Sequence, residues 1–386
     1  MSTIKVNKIE NTATADGGIS IDASGHVEID GVQLPSAGAL SNRNLIINGA
    51  MNVAQRGTSS TSTGYRTVDR FKPEWGGVSV TQSQQTLSSG SPYDEGFRYF
   101  LRLANTSTSS ATNSAAEIQY RVEAQDLAQS GWDYESTSSY VTFSFWVRSS
   151  LAGTYYVTYR ARDASNNLQH VKSFTLVADT WTKVTHTIPG GSDVVFNNDN
   201  GEGLRIMIVP HYGTDFTGSG AQLDAWHDRV GSDYFPDYAQ SWSNTASATF
   251  DVTGVQMEVG EKATPFEHRS YVDELARCQR YYADLGIGGR FGPFVTGSNG
   301  TNGYFGITLP VTMRAAPSLE YDSLNDFSVN NYDASNVPTS FVVDQASTTA
   351  VGLYHSGGSG VTYTKGNTML FYSDASGDKV AFNAEL

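Results

Sequence analysis

The stretch YVTFSFWVRSS, residues 140–150, alternates apolar and polar side chains as a β-strand with one buried face does. The side chains on that face would be those of Val141, Phe143, Phe145 and Val147. Similar stretches, GTYYVTYRARD at 153–163 and GLRIMIVPHY at 203–212, are bounded by Gly, Asp or Pro. Many short strands without long helices predict a two-sheet sandwich, here a jelly roll.

The composition of the 386-residue chain favours the all-β class. Only 17% of the residues are charged, whereas the chain holds 38 Gly, 21 Tyr and 18 Phe, which suit turns and strands. The formal net charge is -14. Such a surface repels phosphates and anionic membranes, and we expect no basic stripe that offsets it. We therefore expect neither nucleic acid nor a membrane as a partner.

The turn signals and a change in composition divide the chain into regions. The predicted regions are an N-terminal docking and trimerisation region at 1–43, a jelly-roll domain at 44–269, a connector helix at 270–283 and a β-sandwich tip domain at 284–386. The first region contains two short alternating pieces, Ile19–Asp22 and Val27–Asp30. Strands this short are not stable by themselves, so we expect sister chains to supply their partners.

The connector is the clearest helical signal. Ser270 is placed to cap it, and the apolar period of 3.6 residues would put Tyr271, Leu275, Cys278 and Tyr282 on one face. Cys278 is the single cysteine, which excludes an intrachain disulfide. We expect it to be buried as a small hydrophobic residue.

The sequence carries no signal that we associate with export or catalysis. The start, MSTIKVNKIE, has no apolar core, and no apolar run approaches the roughly 20 residues of a membrane span. HExxH, GxSxG and phosphate-binding glycine motifs are missing from the sequence. We expect synthesis in a cytoplasm, no catalytic residues and no enzymatic activity.

Ordered blocks of the sequence resemble a recurring pattern in bacteriophage tail fibre proteins. These blocks are NLIINGAMNVAQRG (44–57), YRTVDRF (65–71), VTFSFWVRSS (141–150), DVTGVQMEVGEKATPFEHRS (251–270), ELARCQRYY (274–282) and VTMRAAPSL (311–319). The central block is also similar to the galactose-binding-like jelly roll of carbohydrate-binding modules. The start, MSTIKVNKIENT, is similar to the N-termini of fibre proteins from phages of marine bacteria.

The resemblance implies a virion protein, made in the host cytoplasm, that attaches a phage to its host. It implies a homotrimer whose N-terminal region docks on a tail or other virion protein. The C-terminal part would face a host surface glycan or an outer-membrane receptor. Two alternatives remain open: a purely structural virion component, such as a capsid decoration or tail adaptor, and a polysaccharide depolymerase.

Glycan binding requires aromatic faces and planar polar groups, which point to candidate residues in loop-like stretches. The candidates are Trp75, Trp132, Tyr134, Trp226, Tyr234, Tyr238 and Trp242. Most of them lie in a long connection near residues 224–242, and long connections inside a domain are often functional. The alternative is that these rings anchor the loops to the sandwich or to a neighbouring subunit.

The resemblance also implies a structural calcium ion near the first and last strands of the jelly roll. Calcium takes several oxygen ligands, which Asn48, Asp251 and Glu258 would provide here. Alternatively, Glu258 is an outward, solvated residue of a strand. No other cofactor is expected.

Overall fold

A computed structural model describes residues 8–10, 18–21, 27–29, 32–33, 43–163, 168–285, 290–296, 302–330, 335–356, 368–373 and 379–386. The chain forms two compact units, residues 1–269 and 270–386. Both consist mainly of antiparallel strands, so the all-β prediction is confirmed. No helix in the described part of the chain is both long enough and apolar enough to cross a membrane.

The first unit has a small N-terminal sheet and two larger sheets. Its strands are β1 (Lys8–Glu10), β2 (Gly18–Ile21), β3 (Val27–Ile29), β4 (Val32–Gln33), β5 (Ser59–Ser60), β6 (Phe71–Gly76), β7 (Val80–Thr86), β8 (Tyr99–Asn105), β9 (Ala115–Glu123), β10 (Tyr140–Ser149), β11 (Gly153–Ala161), β12 (Leu168–Leu176), β13 (Thr182–Pro189), β14 (Glu202–Tyr212), β15 (Trp226–Asp228) and β16 (Thr249–Val259). Its helices are α1 (Ser91–Asp94), α2 (Ala124–Ala128) and a 3-10 turn at Trp242–Asn244.

Two six-stranded sheets form the sandwich. Sheet I has the order β13-β10-β16-β8-β7-β5, and sheet II has the order β15-β12-β11-β14-β9-β6. The inward side chains of β10 are all fully buried, as predicted: Val141, Phe143, Phe145 and Val147. Phe143 of sheet I meets Tyr159 of sheet II edge to face, with ring centroids 5.5 Å apart. One core therefore lies between the sheets, and the other face of each sheet points away from it.

The N-terminal strands form a sheet of order β1-β2-β3-β4. The two predicted strands correspond to β2 and β3, which pair antiparallel with Ile19 opposite Ile29. The partners that the sequence assigned to sister chains are thus found within this chain. Ile9, Ile19 and Ile21 are exposed on this sheet. The homotrimer stays a prediction.

The second unit begins with the predicted helix, α3 (Tyr271–Gln279). The Oγ atom of Ser270 caps it by accepting a hydrogen bond of 3.2 Å from the backbone amide of Asp273. Cys278 is buried. The predicted face is wrong at both ends: Tyr271 is exposed, and Tyr282 lies in the following strand, because the helix ends at Gln279.

The remaining strands of the second unit form two sheets, of orders β17-β26-β20 and β22-β21-β25-β18-β19-β24-β23. The strands are β17 (Tyr282–Asp284), β18 (Arg290–Thr296), β19 (Asn302–Thr308), β20 (Ser318–Tyr321), β21 (Phe327–Asn330), β22 (Ser335–Asn336), β23 (Ser340–Ala346), β24 (Ala350–Ser356), β25 (Thr368–Ser373) and β26 (Val380–Asn383), with a 3-10 turn at Leu324–Asp326. Phe327, Phe341 and Phe382 lie in the core of this unit.

Candidate functional site

The outer face of sheet II carries three arginines side by side on adjacent strands. Arg205 of β14 lies directly opposite Arg121 of β9 and also directly opposite Arg160 of β11. Neighbouring strands are about 4.8 Å apart, so the three backbone positions span roughly 10 Å. We call Arg121, Arg205 and Arg160 the arginine row. Gln169 of β12, opposite Arg160, extends this line of planar polar side chains by one strand.

The alternation of each strand sends the arginines away from the core. Residues on either side of each arginine belong to the buried core between the sheets: Tyr120 and Val122, Leu204 and Ile206, Tyr159 and Ala161. Because successive side chains of a strand point to opposite faces, the arginines share the outer face. Three separate strands thus place the same charge at the same level of the sheet.

Two further arginines adjoin the row. Arg162 follows the end of β11, and Arg229 comes from the connection after β14. Burial and, to a lesser degree, the charges of Arg229, Arg162 and Arg205 together lower the pKa of Arg160 to about 10, against an opposing effect of Glu117. Arg160 remains protonated at neutral pH. The charges of its cationic neighbours lower its pKa more than the charge of Glu117 raises it.

Two glutamates balance part of this charge. Glu202 accepts a hydrogen bond of 2.7 Å from Nη2 of Arg205, and its carboxylate lies 3.5 Å from Nε of Arg121 and 3.9 Å from Nε of Arg162. Burial opposes the ionisation of Glu202, but these arginines outweigh it and lower its pKa. Glu117 accepts hydrogen bonds from the Tyr212 hydroxyl and from the side-chain amide of Gln119.

This face therefore holds five arginines beside Glu117 and Glu202, and the alternation of β9 and β6 places Glu123 and Glu74 on it as well. The sequence analysis did not predict this stripe of arginines, although the formal net charge of the chain stays at -14. The reason is that the stripe runs across strands, from residue 121 to 205 to 160, rather than along the sequence. The sequence signal was present in part, since YRV, YRAR and LRI each place an arginine between apolar strand residues.

The long connection between β14 and β16 covers the apolar part of the same face. Phe235 is fully buried there, with its ring 5.6 Å from that of Tyr156 and 5.2 Å from that of Tyr212. Met207 and Val209 of β14 belong to the same cluster. The connection also brings Arg229 onto the ring of Tyr234, with the guanidinium carbon 3.3 Å from the ring centroid. The arginine row is thus flanked by a packed loop that contributes a cation.

The predicted aromatic residues of this connection act as anchors. Trp242 is fully buried in the core, so it cannot offer a ring to a ligand at the surface. Tyr238 packs edge to face on Tyr156 at 5.0 Å, and Tyr234 is stacked against Phe216 at 5.9 Å. All three rings hold the loop to the sandwich, which is the alternative role considered for them in the sequence analysis.

The other predicted aromatic residues lie away from the arginine row. The ring of Trp132 is 6.3 Å from that of Tyr134, and the indole of Trp226 donates a hydrogen bond of 2.8 Å to the carbonyl of Pro189. Trp132 is buried, whereas Tyr134 and Trp226 are half-buried against the core. Trp75, on β6, also packs partly buried against that core.

The three predicted calcium ligands do not form a site. Asp251 and Glu258 lie seven residues apart on strand β16, which separates them by roughly 20 Å. Asp251 is instead bound by Arg102 and Arg148, each at 2.7 Å. Glu258 is buried and accepts a hydrogen bond of 2.8 Å from the backbone amide of Thr264, so it is not a solvated residue either.

Asn48 stabilises a turn of the backbone. Its φ angle of 61° lies in the left-handed region, which Asn tolerates better than most residues. Its side chain donates to the carbonyls of Val53 and Asp69 at 2.8 and 2.9 Å, closing a turn. Among the residues that the structure describes, no three His, Cys, Asp or Glu side chains are grouped to hold a metal ion.

A cleft of about 480 Å³ lies beside β13 of sheet I. Its lining includes Glu95, Lys183, Phe266 and His268. Lys183 forms an ion pair of 3.1 Å with Glu95, so the charges of this pair balance each other. The arginine row differs from this cleft in placing three like charges on adjacent strands.

Comparisons with known proteins identify no family. No family model matches the chain, and a search of curated proteins finds no match. Among solved structures, the enzymatically active domain of tailspike protein 4 from Bacteriophage CBA120 is 10% identical, with a TM-score of 0.32, over 56% of this chain and 22% of that one. The match therefore spans about a fifth of the tailspike chain.

Two further solved structures match over nearly their full length. The CBM22-1 xylan-binding domain of Xyn10C from Paenibacillus barcinonensis is 11% identical, with a TM-score of 0.26, over 55% of this chain and 97% of that one. A cyclase from Fischerella sp. TAU is 8% identical, with a TM-score of 0.31, over 58% and 98%. Such distant likenesses assign neither a family nor an activity to this chain.

Proposed function

We propose that the protein is a phage fibre that attaches the virion to its host by binding a surface glycan, without catalysis. The observation that carries the proposal is the arginine row, a line of guanidinium groups on three adjacent strands. Planar amides and guanidinium groups suit the hydroxyl and ring oxygens of sugars. The phage role rests on the resemblance of the sequence blocks to tail fibre proteins.

The sheet makes these groups ready to bind. Backbone pairing fixes the spacing of the row, and side chains mounted on strands are positioned more accurately than side chains on loops. Glu202 holds Arg121 and Arg205 from one side. Arginines held in this way lose less conformational freedom when a ligand binds.

The remaining parts of the proposal concern assembly. Residues 1–43 would dock on the virion and join sister chains into a homotrimer, and residues 284–386 would form the tip towards the cell. Several copies of a weak glycan site would then act together through their high effective concentration. In this proposal the glycan is held rather than cleaved.

The test is binding of the full-length protein to immobilised bacterial surface polysaccharides and to whole bacteria. Replacing Arg205→Gln should weaken binding at least about 10-fold, because a hydrogen bond from a charged group is lost. The matched control is Arg98→Gln: Arg98 is exposed, lies just before β8 of sheet I and stacks on Tyr93 at 3.9 Å.

Equal binding by the wild type and Arg205→Gln would contradict the assignment of the site. No binding to any polysaccharide or cell would favour the structural virion component. New reducing ends in a polysaccharide digest would favour the depolymerase.

A further inference from the structure

We infer that residues 224–229, which we call the strap, are released from the edge of the sandwich in acid. The strap contains β15, which pairs with β12 next to the buried side chain of His170. The release is a conformational change within the first unit and needs no ligand. It therefore goes beyond the proposed function and stands independently of it.

The strap lies at the edge of the sandwich and is attached to both sheets. β15 is three residues long and forms the end of sheet II, beside β12. The backbone amide of Asp224 donates a hydrogen bond of 2.9 Å to the carbonyl of Val171 on β12. The Trp226 indole donates to the carbonyl of Pro189 on β13, the outermost strand of sheet I. A short edge strand of this kind opens more readily than the strands of a core.

The imidazole of His170 lies beneath the strap. His170 is fully buried, and Leu168 and Phe174 on the same side of β12 belong to the core. Trp226, directly opposite His170, packs its ring edge to face on the imidazole with centroids 5.4 Å apart. Neither ring nitrogen of His170 has a hydrogen-bond partner within the described part of the chain. Protonation there would bury a charge with two unpaired N–H donors, which is costly.

The groups around His170 do not remove this cost. Burial is the main cause that lowers the pKa of His170 to about 4. Lys172 of the same strand, His227 of β15 and His186 of β13 also oppose a positive charge on the imidazole. Asp224 acts in the opposite direction, but its side chain is 65% exposed and is paired with Lys172 at 2.8 Å. The closed strap therefore holds His170 in its neutral form.

Release of the strap allows His170 to take up a proton. Once Trp226 has left, water reaches the imidazole, and its pKa returns towards the ordinary value of about 6.5. The closed state is therefore fully favoured above about pH 6.5 and loses stability as the pH falls towards about 4, because the released state binds the proton first. Between about pH 7.5 and about pH 5.5, the population with a released strap should rise about 10-fold.

Release would also change the margin of the arginine row. Arg229 directly follows β15, and its guanidinium carbon lies 3.3 Å from the ring centroid of Tyr234. The charge of Arg229 also acts on the pKa of Arg160. A released strap would carry Arg229 away from the row. An effect of acid on glycan binding depends on the proposed function, whereas the release itself does not.

The experiment is limited proteolysis of the full-length protein by thermolysin, which cleaves before apolar residues such as Leu223 and Ala225. Fragments are identified by mass spectrometry, and an unstructured peptide corrects for the pH dependence of the protease. When opening is fast relative to cleavage, the cleavage rate follows the population of the opened state. We expect cleavage at the strap to be about 10-fold faster at about pH 5.5 than at about pH 7.5.

Variants then locate the effect. His170→Phe should abolish the rise at low pH, because phenylalanine occupies similar space beside Trp226 and cannot be protonated. The matched control is His211→Gln. Burial lowers the pKa of His211 to about 4 as well, but this residue lies on β14 and bonds to Ser114 and Ser243, so the variant should keep the wild-type rise. The comparison of two pH values on the wild type needs no variant, so a misfolded His170→Phe protein would leave the test intact.

The outcomes separate this inference from the proposed function. Equal cleavage of the wild-type strap at both pH values would overturn the release, and so would an undiminished rise in His170→Phe. Cleavage that starts in the strands of both sheets as early as at the strap would show global unfolding instead of release. Because no ligand is present, these results leave glycan attachment standing, and failure to bind any polysaccharide would leave the release standing.

Discussion

Each sheet of the sandwich carries a row of three charged side chains on adjacent strands, and the two rows differ at the centre. On sheet I, Asp251 of β16 lies between Arg102 of β8 and Arg148 of β10. On sheet II, Arg205 lies between Arg121 and Arg160. The centre of the row is therefore a carboxylate on sheet I and a guanidinium group on sheet II.

The electrostatics of the two rows follow from the central residue. The hydrogen bond and charge of Asp251 raise the pKa of Arg102, although burial opposes them. Burial and cationic neighbours instead lower the pKa of Arg160 to about 10. In one row the arginines flank a carboxylate at the centre, whereas in the other the carboxylate of Glu202 lies beside the row, within 3.9 Å of Arg121, Arg162 and Arg205. We expect the sheet I row to be structural, and the sheet II row is the one to which the proposed function assigns binding.

Replacing Asp251, the central residue of the sheet I row, should have the largest effect on the free energy of unfolding. Asp251 has no exposed surface, and Arg102 and Arg148 both reach it at 2.7 Å. Asp251→Asn would leave two opposed guanidinium groups without their anion, which costs about 3 kcal/mol when such a pair is buried. Urea unfolding followed by tryptophan fluorescence measures the loss. All six tryptophans lie between residues 75 and 242, so the signal reports the sandwich alone.

The control for this change is Asp215→Asn, at an exposed aspartate in the loop after β14. It should leave the free energy of unfolding within about 0.5 kcal/mol of the wild type. If Asp251→Asn were equally harmless, the sheet I row would not be structural, and the comparison between the rows would fail.

Acid should destabilise the core that lies between the two sheets. His186 of sheet I and His170 of sheet II are buried, and burial is the main cause that lowers the pKa of each to about 4. Because these values lie below the ordinary 6.5, the unfolded chain binds protons first as the pH falls. Stability is therefore complete above about pH 6.5 and decreases towards pH 4, by up to about 1.4 kcal/mol per pH unit for each histidine.

His186→Gln should reduce this slope, because one of the histidines whose pKa is lowered no longer titrates. Glutamine can still bond to the Tyr159 hydroxyl, which lies 3.0 Å from Nδ1 of His186. Urea unfolding is measured at about pH 7.5, 6 and 5, a range that avoids most carboxylate titration. The variant is compared with the wild type and with His268→Gln, which changes an exposed histidine. A slope identical in all three proteins would show that His186 is not held neutral.

Much of the fold follows from local sequence patterns. The alternation in residues 140–150 predicts strand β10, and its four apolar side chains are fully buried. The Ser270 cap and the helix after it are also local features, and both are present. The end of that helix was predicted too late because Tyr282 pairs with Asn383, about a hundred residues away, and such pairing leaves no local signal.

The candidate site was harder to predict because it depends on strand register. Arg121, Arg160 and Arg205 each lie in a strand with no distinctive local signal, and only pairing between residues 45 and 84 positions apart brings them together. The same limit explains the error at Asp251. Its carboxylate was a plausible calcium ligand in the sequence, but the register supplies two guanidinium groups instead of a metal ion.

The smallest expected effect is that of a change in the sheet II row on the free energy of unfolding. Arg160→Gln should leave the free energy of unfolding unchanged or raise it by up to about 1 kcal/mol, because it removes a like charge opposite Arg205. Any gain should shrink between about 0.05 M and about 0.5 M salt, where screening already weakens the repulsion in the wild type. Tryptophan-monitored urea unfolding at both salt concentrations measures it. A loss of about 3 kcal/mol, as expected for Asp251→Asn, would mean that the arginine row also supports the fold, and that both rows are structural.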